Sequence, residues 1–298
     1  MIVSCGEALV DLLPDPVPGG GPMNVAIAAA RLGAPSAFVG RVSTDEHGER
    51  IWRHLASNGV DLRATQRGPE PTARAIVEHV PQLRFRFEGD DTADTCLDHV
   101  DLDVLGAGPH LVHGGTLGLF RGTTAETLAR LAERHDGVVS LDPNVRPQII
   151  DDRARWRHFH DRWLARAHLY RGSDEDLAWV WPGRSTDSIA AELVAGQQAA
   201  VIVTRGGDGA QIYTRHGERT VGGVETTVVD TVGAGDTFVA SVLVQLHERG
   251  LAGDPGAVRD LPLDAWADIV AFAVTAAAIT CSRAGADPPT RAELTSGT

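Results

Sequence analysis

The run Val228-Val229-Asp230-Thr231-Val232-Gly233-Ala234-Gly235-Asp236-Thr237-Phe238-Val239-Ala240-Ser241 constrains this chain more than any other segment. A β-branched stretch ends at Asp230, two glycines follow at close spacing, and an acid then opens a small, apolar pattern with helical character. Glycines at a strand-to-helix turn let backbone N–H groups crowd around an anion, because no Cβ blocks the approach. The helix that begins there adds unpaired N–H groups and the positive end of its dipole. Asp236, in the first turn, is a carboxylate able to accept a proton from a hydroxyl beside that anion. An anion hole with a base at its lip is what phosphoryl transfer to an alcohol requires. The turn alone equally suits a structural strand–helix connection, so its chemistry depends on what surrounds it.

Composition narrows the surroundings. The 298 residues suit one large α/β domain, with an aliphatic core easily supplied. A net charge of −13 argues against nucleic acid and against an anionic membrane surface as partners. The chain contains no lysine. That excludes a P-loop lysine, a protein-kinase strand lysine and any Schiff-base chemistry, and leaves phosphates to backbone amides, arginine and metal. Cys5, Cys96 and Cys281 show no metal-ligand or redox spacing. The sequence opens on an apolar strand pattern without a basic lead-in, and the longest apolar run, 267–280, contains Asp268 and is too short to span a bilayer. A cytoplasmic protein is expected.

Short apolar runs alternate with helical patterns. Strands are expected at 1–4, 36–39, 111–113, 138–141, 169–171, 201–204 and 209–213, with helices at 23–32, 48–58, 125–135, 156–165, 187–195 and 237–249. This alternation predicts an α/β fold of three layers, α/β/α, with a mostly parallel central sheet. Sites in such sheets sit at the carboxyl ends of strands, and the loops after Leu141, Val203 and Val229 are expected to gather there. One region breaks the alternation: 73–80 and 82–88 alternate apolar and polar residues about Pro81, and 9–13 can join them. Alternation on both sides of a ribbon predicts an antiparallel flap outside the main sheet.

Several loops carry chemistry. Asp11, four residues after Glu7, can accept two hydroxyl hydrogen bonds, which suits a polyol. Gly20 and Gly21 permit close approach, and Asn24 opens a helix either as its cap or as a ligand group. Asp142-Pro143-Asn144-Val145-Arg146-Pro147 puts acid, amide and guanidinium on one loop. Thr204-Arg205-Gly206-Gly207-Asp208-Gly209 reads as a hairpin turn or as a nucleotide loop in which Arg205 meets a phosphate. Ala273, Ala276 and Ala277 form a wall of small residues that suits adenine or the core.

Two motifs carry a resemblance. Asp230-Thr-Val-Gly-Ala-Gly-Asp-Thr-Phe238 resembles the C-terminal signature of the ribokinase-like (PfkB) carbohydrate kinases. Gly19-Gly-Gly-Pro-Met-Asn-Val-Ala26, continuing to Gly40-Arg-Val-Ser-Thr-Asp-Glu-His-Gly48, resembles the N-terminal signature of the same family, in the family's order and at its distance. The resemblance runs from Gly6 to about Pro289 and implies one ribokinase-like kinase domain over 1–298, with a β-sheet lid from about 9–18 and 72–98. It implies ATP and Mg²⁺, Asp236 as general base, and Gly233, Ala234 and Gly235 as the anion hole. It further implies ATP on Thr204, Arg205, Gly206, Gly207, Gly209 and Ala276. Asp11, Gly20, Gly21, Asn24, Arg86, Arg146 and Asp236 are implied for the sugar.

Many members carry Asn-x-x-Glu where this chain reads Ser173-Asp174-Glu175-Asp176, so the metal-bound water falls to Asp176 or Glu175. Asp230, with 282–286, matches a monovalent cation site in relatives, which implies K⁺. Gly6-Glu-Ala-Leu-Val-Asp-Leu-Leu-Pro14 and Asp142–Pro147 look most like bacterial fructokinases, which implies D-fructose as acceptor. A 2-keto-3-deoxygluconate kinase, or a ribose or nucleoside kinase, is the alternative; relatives also pair as homodimers through the lid. Outside this class stand a sugar-binding regulator without turnover, which would need a broken base or anion hole, and a dinucleotide dehydrogenase, whose glycine fingerprint should follow the first strand.

Overall fold

The computed structural model describes residues 1–12, 16–79 and 83–296, with the side chains of 77–79, 83–85 and 296 outside the description. In chain order its strands are β1 (Ile2–Cys5), β2 (Leu9–Leu12), β3 (Pro16–Gly19), β4 (Ser36–Val39), β5 (Arg41–Ser43), β6 (Gln66–Gly68), β7 (Arg74–His79), β8 (Leu83–Glu88), β9 (Leu111–Gly115), β10 (Val139–Asp142), β11 (Leu169–Ser173), β12 (Ala200–Thr204), β13 (Ala210–Thr214) and β14 (Gly217–Val221). Its helices are α1 (Gly21–Arg31), α2 (Glu46–Ser57), α3 (Gly122–Arg134), α4 (Arg153–Leu164), α5 (Asp174–Val180), α6 (Thr186–Ala195), α7 (Ala234–Glu248), α8 (Pro255–Arg259), α9 (Leu263–Cys281) and α10 (Arg291–Ser296).

The central sheet runs β14-β13-β12-β11-β10-β9-β1-β4, parallel from β4 to β12 and antiparallel at β13 and β14. Strands buried on both faces read as apolar runs, and helices cover each face. On one face Leu128, Trp156, Trp163, Leu177 and Ile189 of α3 to α6 form a core with Val3, Leu141 and Tyr170. On the other Val25, Leu243, Trp266 and Ile269 of α1, α7 and α9 pack on Ile2, Leu169 and Ile202. Strand alternation therefore sorts each residue to one helix layer or the other. The three-layer expectation holds.

The flap is a separate sheet of order β3-β2-β7-β8; 9–12 does join it, but β2 runs parallel to β7, so the sheet is mixed and not antiparallel throughout, and β3 adds a strand that the alternation did not reveal. The expected turn at Pro81 and Leu13 lie outside the described residues. Helix starts sit one to three residues earlier than the apolar pattern suggests, and at α2, α4 and α6 a polar cap precedes it. The Asp45 carboxylate accepts from the Gly48 N–H at 2.7 Å, and Asp152 and Ser185 cap α4 and α6 likewise.

Two expectations need correction. Val228 and Val229 form no strand: they are 61 % and 60 % exposed in a loop, tied to the rest by the Val229 N–H on the Cys281 carbonyl. β-Branched residues favour strands only where a pleated neighbour exists, and none is offered here. The apolar run near the C-terminus belongs to a longer helix, α9, whose 19 residues meet the length and composition needed to cross a membrane. Its Trp266, Ile269, Val270, Ala273 and Ala276 are instead buried in the core beside α7.

Candidate active site

The turn read from the sequence begins α7. Gly233 takes φ +74° as the residue before the helix, a conformation that favours glycine, and a Cβ there would press on Ala286. No side chain caps this end; the Ala234 N–H reaches the Thr231 carbonyl at 3.3 Å, and the Gly235 and Asp236 amides remain for an anion. Asp236 lies in that first turn. Its Oδ2 accepts a 2.8 Å hydrogen bond from Asn24 Nδ2, across 212 residues of chain. Asn24 is thus inside α1, not its cap; Gly20, at φ +120°, holds that position.

Burial raises the Asp236 pKa from 3.8 to about 6, and the Asp142 charge raises it further, while Asn24, Arg146 and Arg171 pull it down. A carboxylate with that pKa is ionised at pH 7 yet basic enough to take a proton.

Gly21 marks the point where side chains converge. A Cβ at Gly21 would lie 2.7 Å from Thr116 Oγ1 and 3.4 Å from both Asn144 Nδ2 and Asp236 Oδ1. Thr116 and Asn144 hydrogen-bond each other at 3.2 Å and both adopt positive φ, +51° and +37°. Left-handed backbone is costly for non-glycine residues and clusters at functional sites. Asp11, on β2 of the flap, faces Gly19, and burial holds its carboxyl above the usual range. Gly21, Asn24 and Asp236 are therefore brought together where α1 and α7 begin, and Asp11 stands beside Gly19, two residues earlier in the chain. Arg146 is exposed on the loop after β10, donating to the Asn144 and Val145 carbonyls at 3.3 and 3.1 Å. Arg86 sits on β8 and pairs with Glu88 at 2.6 Å.

The Thr204–Gly209 turn connects antiparallel β12 and β13, so it is a hairpin turn, closed by the Arg205 N–H on the Gly209 carbonyl at 2.8 Å. Gly206 and Gly207 face open space, and Arg205 is exposed beside them. A Cβ at Gly209 would strike the Val221 carbonyl, which makes that glycine a requirement of the fold. Ala276 has no exposed surface, nor has Ala273; α7 closes over them, so Ala276 belongs to the core and not to a nucleotide.

Asp176 is committed elsewhere. Its Oδ1 accepts the Val145 N–H at 2.8 Å, and its Oδ2 accepts the Ser173 N–H and hydroxyl at 2.8 and 2.7 Å. It caps α5 in a reciprocal pair with Ser173 and anchors the loop after β10. Glu175 is exposed. No group of three or more metal-ligating side chains exists among the described residues. The donor set does not form a cage, and it fits a magnesium ion that arrives on nucleotide phosphates and keeps most of its waters. Asp230 accepts from the Val232 and Gly285 N–H groups at 3.1 and 2.9 Å, which hold its carboxyl below the usual range and tie the loop before α7 to 282–286.

Three residues of the site escaped the sequence. Thr116 lies at the convergence point through a strained backbone with no local signal. Glu7 is fully buried; its Oε2 accepts the Gly118 N–H at 2.9 Å and burial pushes its pKa up to about 7. Arg171 was visible in principle: it is a lone charge in an apolar strand, in phase with Leu169 on the α7 face.

Comparison with known proteins decides what this geometry belongs to. Residues 16–293 match the model of the pfkB family carbohydrate kinases. The chain belongs to that family. Fructokinase of Rhizobium leguminosarum bv. trifolii is 36 % identical over 84 % of this chain and 81 % of its own. Fructokinase of Escherichia coli is 33 % identical, with 91 % and 92 % covered. Among solved structures, fructokinase of Xylella fastidiosa with bound ATP superposes with a TM-score of 0.91 at 26 % identity, covering 99 % and 97 %. A fructokinase double mutant of Vibrio cholerae, bound to fructose, ADP and potassium, gives 0.85 at 27 %, with the same coverage. The protein is a carbohydrate kinase, a phosphotransferase acting on an alcohol group.

Proposed function

We propose that the protein transfers the γ-phosphoryl group of ATP to a primary hydroxyl of D-fructose, giving fructose 6-phosphate and ADP. The observation that carries this reading is Asp236: a partly exposed carboxylate of raised pKa, fixed by Asn24, in the first turn of α7 and facing the space over Gly21. The sugar oxygen attacks the γ-phosphorus as its proton passes to the Asp236 carboxylate, and the bond to the bridging oxygen of ADP breaks. The Gly233–Asp236 turn faces the charge that grows on the transferred group, a contribution of about 10²–10³ in rate per donor.

Asp11, Gly20, Gly21, Asn24 and Arg146 bind the sugar, and Arg86 contributes from the flap as it closes. Thr204, Arg205, Gly206 and Gly207 form the nucleotide's edge of the site, and closure excludes the water that would otherwise take the phosphoryl group. Glu175 would order water around a magnesium ion brought by the nucleotide, and such an ion would neutralise charge on the phosphates. The potassium in the Vibrio cholerae structure supports a monovalent cation at the Asp230 loop. The enzyme works in the cytoplasm as a homodimer through the flap, which light scattering at the monomer mass would overturn.

The test of the acceptor is ADP release with magnesium and ATP across fructose, 2-keto-3-deoxygluconate, ribose, adenosine and no sugar. Fructose-dependent release supports the reading. Release confined to another acceptor keeps the kinase and overturns fructose, and sugar binding without any release makes the chain a regulator.

A further inference from the structure

β11 buries a charge against the one place in α7 least suited to it. Leu169 packs on the α1, α7 and α9 core and Tyr170 on the opposite one, so Arg171 points to the α7 side. Its NH1 donates to Asp142 Oδ2 at 2.7 Å and its NH2 to Thr204 Oγ1 at 2.6 Å. Those partners occupy the same face of the two neighbouring strands. The Arg171 side chain is 13 % exposed, and its Nε finds no partner among the described residues. Against it lies Gly235: a Cβ there would stand 3.0 and 3.2 Å from the two terminal nitrogens. The second glycine of the turn thus makes room for a guanidinium at the first turn of a helix. A cation there opposes the helix dipole, which disfavours positive charge at an N-terminus. The fold alone gives no reason to put it there, because Asp142 could be satisfied by a neutral donor.

Resting on the proposed function, we propose that Arg171 is the positioning residue that supplies fixed positive charge beneath the anion hole, so that the γ-phosphoryl group is held and its growing charge stabilised through the Gly235 turn. The groups facing Arg171 are Asp142 and Thr204 from the adjacent strands, Asp236 and the Phe238 ring from α7, Asp176 from α5, and His113 from β9, which burial keeps neutral with a pKa of about 3. The acids among them outnumber the one guanidinium. In a chain without lysine, an arginine already ordered by two hydrogen bonds adds charge without ordering cost when phosphate arrives.

The alternative role, neutralising Asp142 alone, is separated by the double variant Arg171→Met/Asp142→Asn, which removes both charges and keeps an acceptor for the Asn144 N–H. Two readouts are taken: fructose-dependent ADP release, and the ratio of dissociation constants for ADP and for its non-transferable triphosphate analogue AMP-PNP, both with magnesium. The expected result is a folded double variant with kcat down about a hundredfold or more, and a preference for AMP-PNP over ADP reduced about tenfold with ADP affinity little changed. Arg171→Lys should recover at least a tenth of the parent kcat, because charge and not the fork geometry is needed. A double variant with the parent kcat and affinity ratio overturns the proposal, as does equal loss of both nucleotides, or a lysine variant no better than the methionine one. A parent that turns over no sugar overturns the proposed function alone, since the affinity ratio is read without turnover. A parent that binds neither nucleotide overturns both.

Discussion

Asp236→Asn should make the protein more stable while abolishing its activity. The folded-state pKa of Asp236, about 6, lies above the ordinary 3.8, so between those values the folded chain holds a proton that the unfolded chain has released. Stability is therefore lost as pH rises through that window, and the difference of about 2 in pKa corresponds to about 3 kcal/mol at pH 7. Asparagine keeps an oxygen for the Asn24 amide but carries no charge to desolvate. The variant should gain up to about 3 kcal/mol at pH 7, several degrees in thermal midpoint at about 2–4 °C per kcal/mol. The gain should shrink to roughly half at pH 5, where the parent carboxyl is largely protonated in the folded state. Denaturant unfolding of parent and variant at pH 5, 6 and 7, together with fructose-dependent ADP release, reads all of this. A variant no more stable than the parent, or one gaining equally at every pH, would refute the burial argument. A turnover within tenfold of the parent would refute Asp236 as the base.

Other substitutions follow from the same geometry. Gly21→Ala places a Cβ 2.7 Å from Thr116 Oγ1 in the space the acceptor needs, so steady-state kinetics should show the sugar KM raised about tenfold or more with the ATP KM nearly unchanged. Asp176→Ala strips the Val145 and Ser173 N–H groups of their acceptor; chemical denaturation should show a loss of about 2–4 kcal/mol, and kcat should fall as the Asn144 loop loosens.

The central sheet was legible because its strands are buried on both faces, which leaves continuous apolar runs, and because the flap is two-sided, which leaves alternation. β14 was not legible: Gly-Glu-Arg-Thr-Val is exposed for most of its length and has no apolar face to declare it. The Val228-Val229 pair misled for the opposite reason, its β-branched side chains standing in solvent. In the site, the glycine turn and the Gly20–Asn24 segment each carry a local signature, yet the bond that joins them spans 212 residues and no local pattern announces it. Thr116 and Asn144 depend on positive φ, which a non-glycine residue does not advertise. Asp176 shows the reverse error: an acid read for metal chemistry is consumed by backbone N–H groups, a competition visible only once the Asn144 loop is folded against α5.

The measurement that bears most directly on the account is the pH dependence of kcat/KM for fructose-dependent ADP release, which reports the free enzyme. With Asp236 as base, activity should fall on the acid side with an apparent pKa of about 6, and Asn24→Ala should move that limb upward, because the lost hydrogen bond had favoured the charged form. A profile flat down to pH 5, or a limb that stays put in Asn24→Ala, would contradict the assignment of the proton to Asp236.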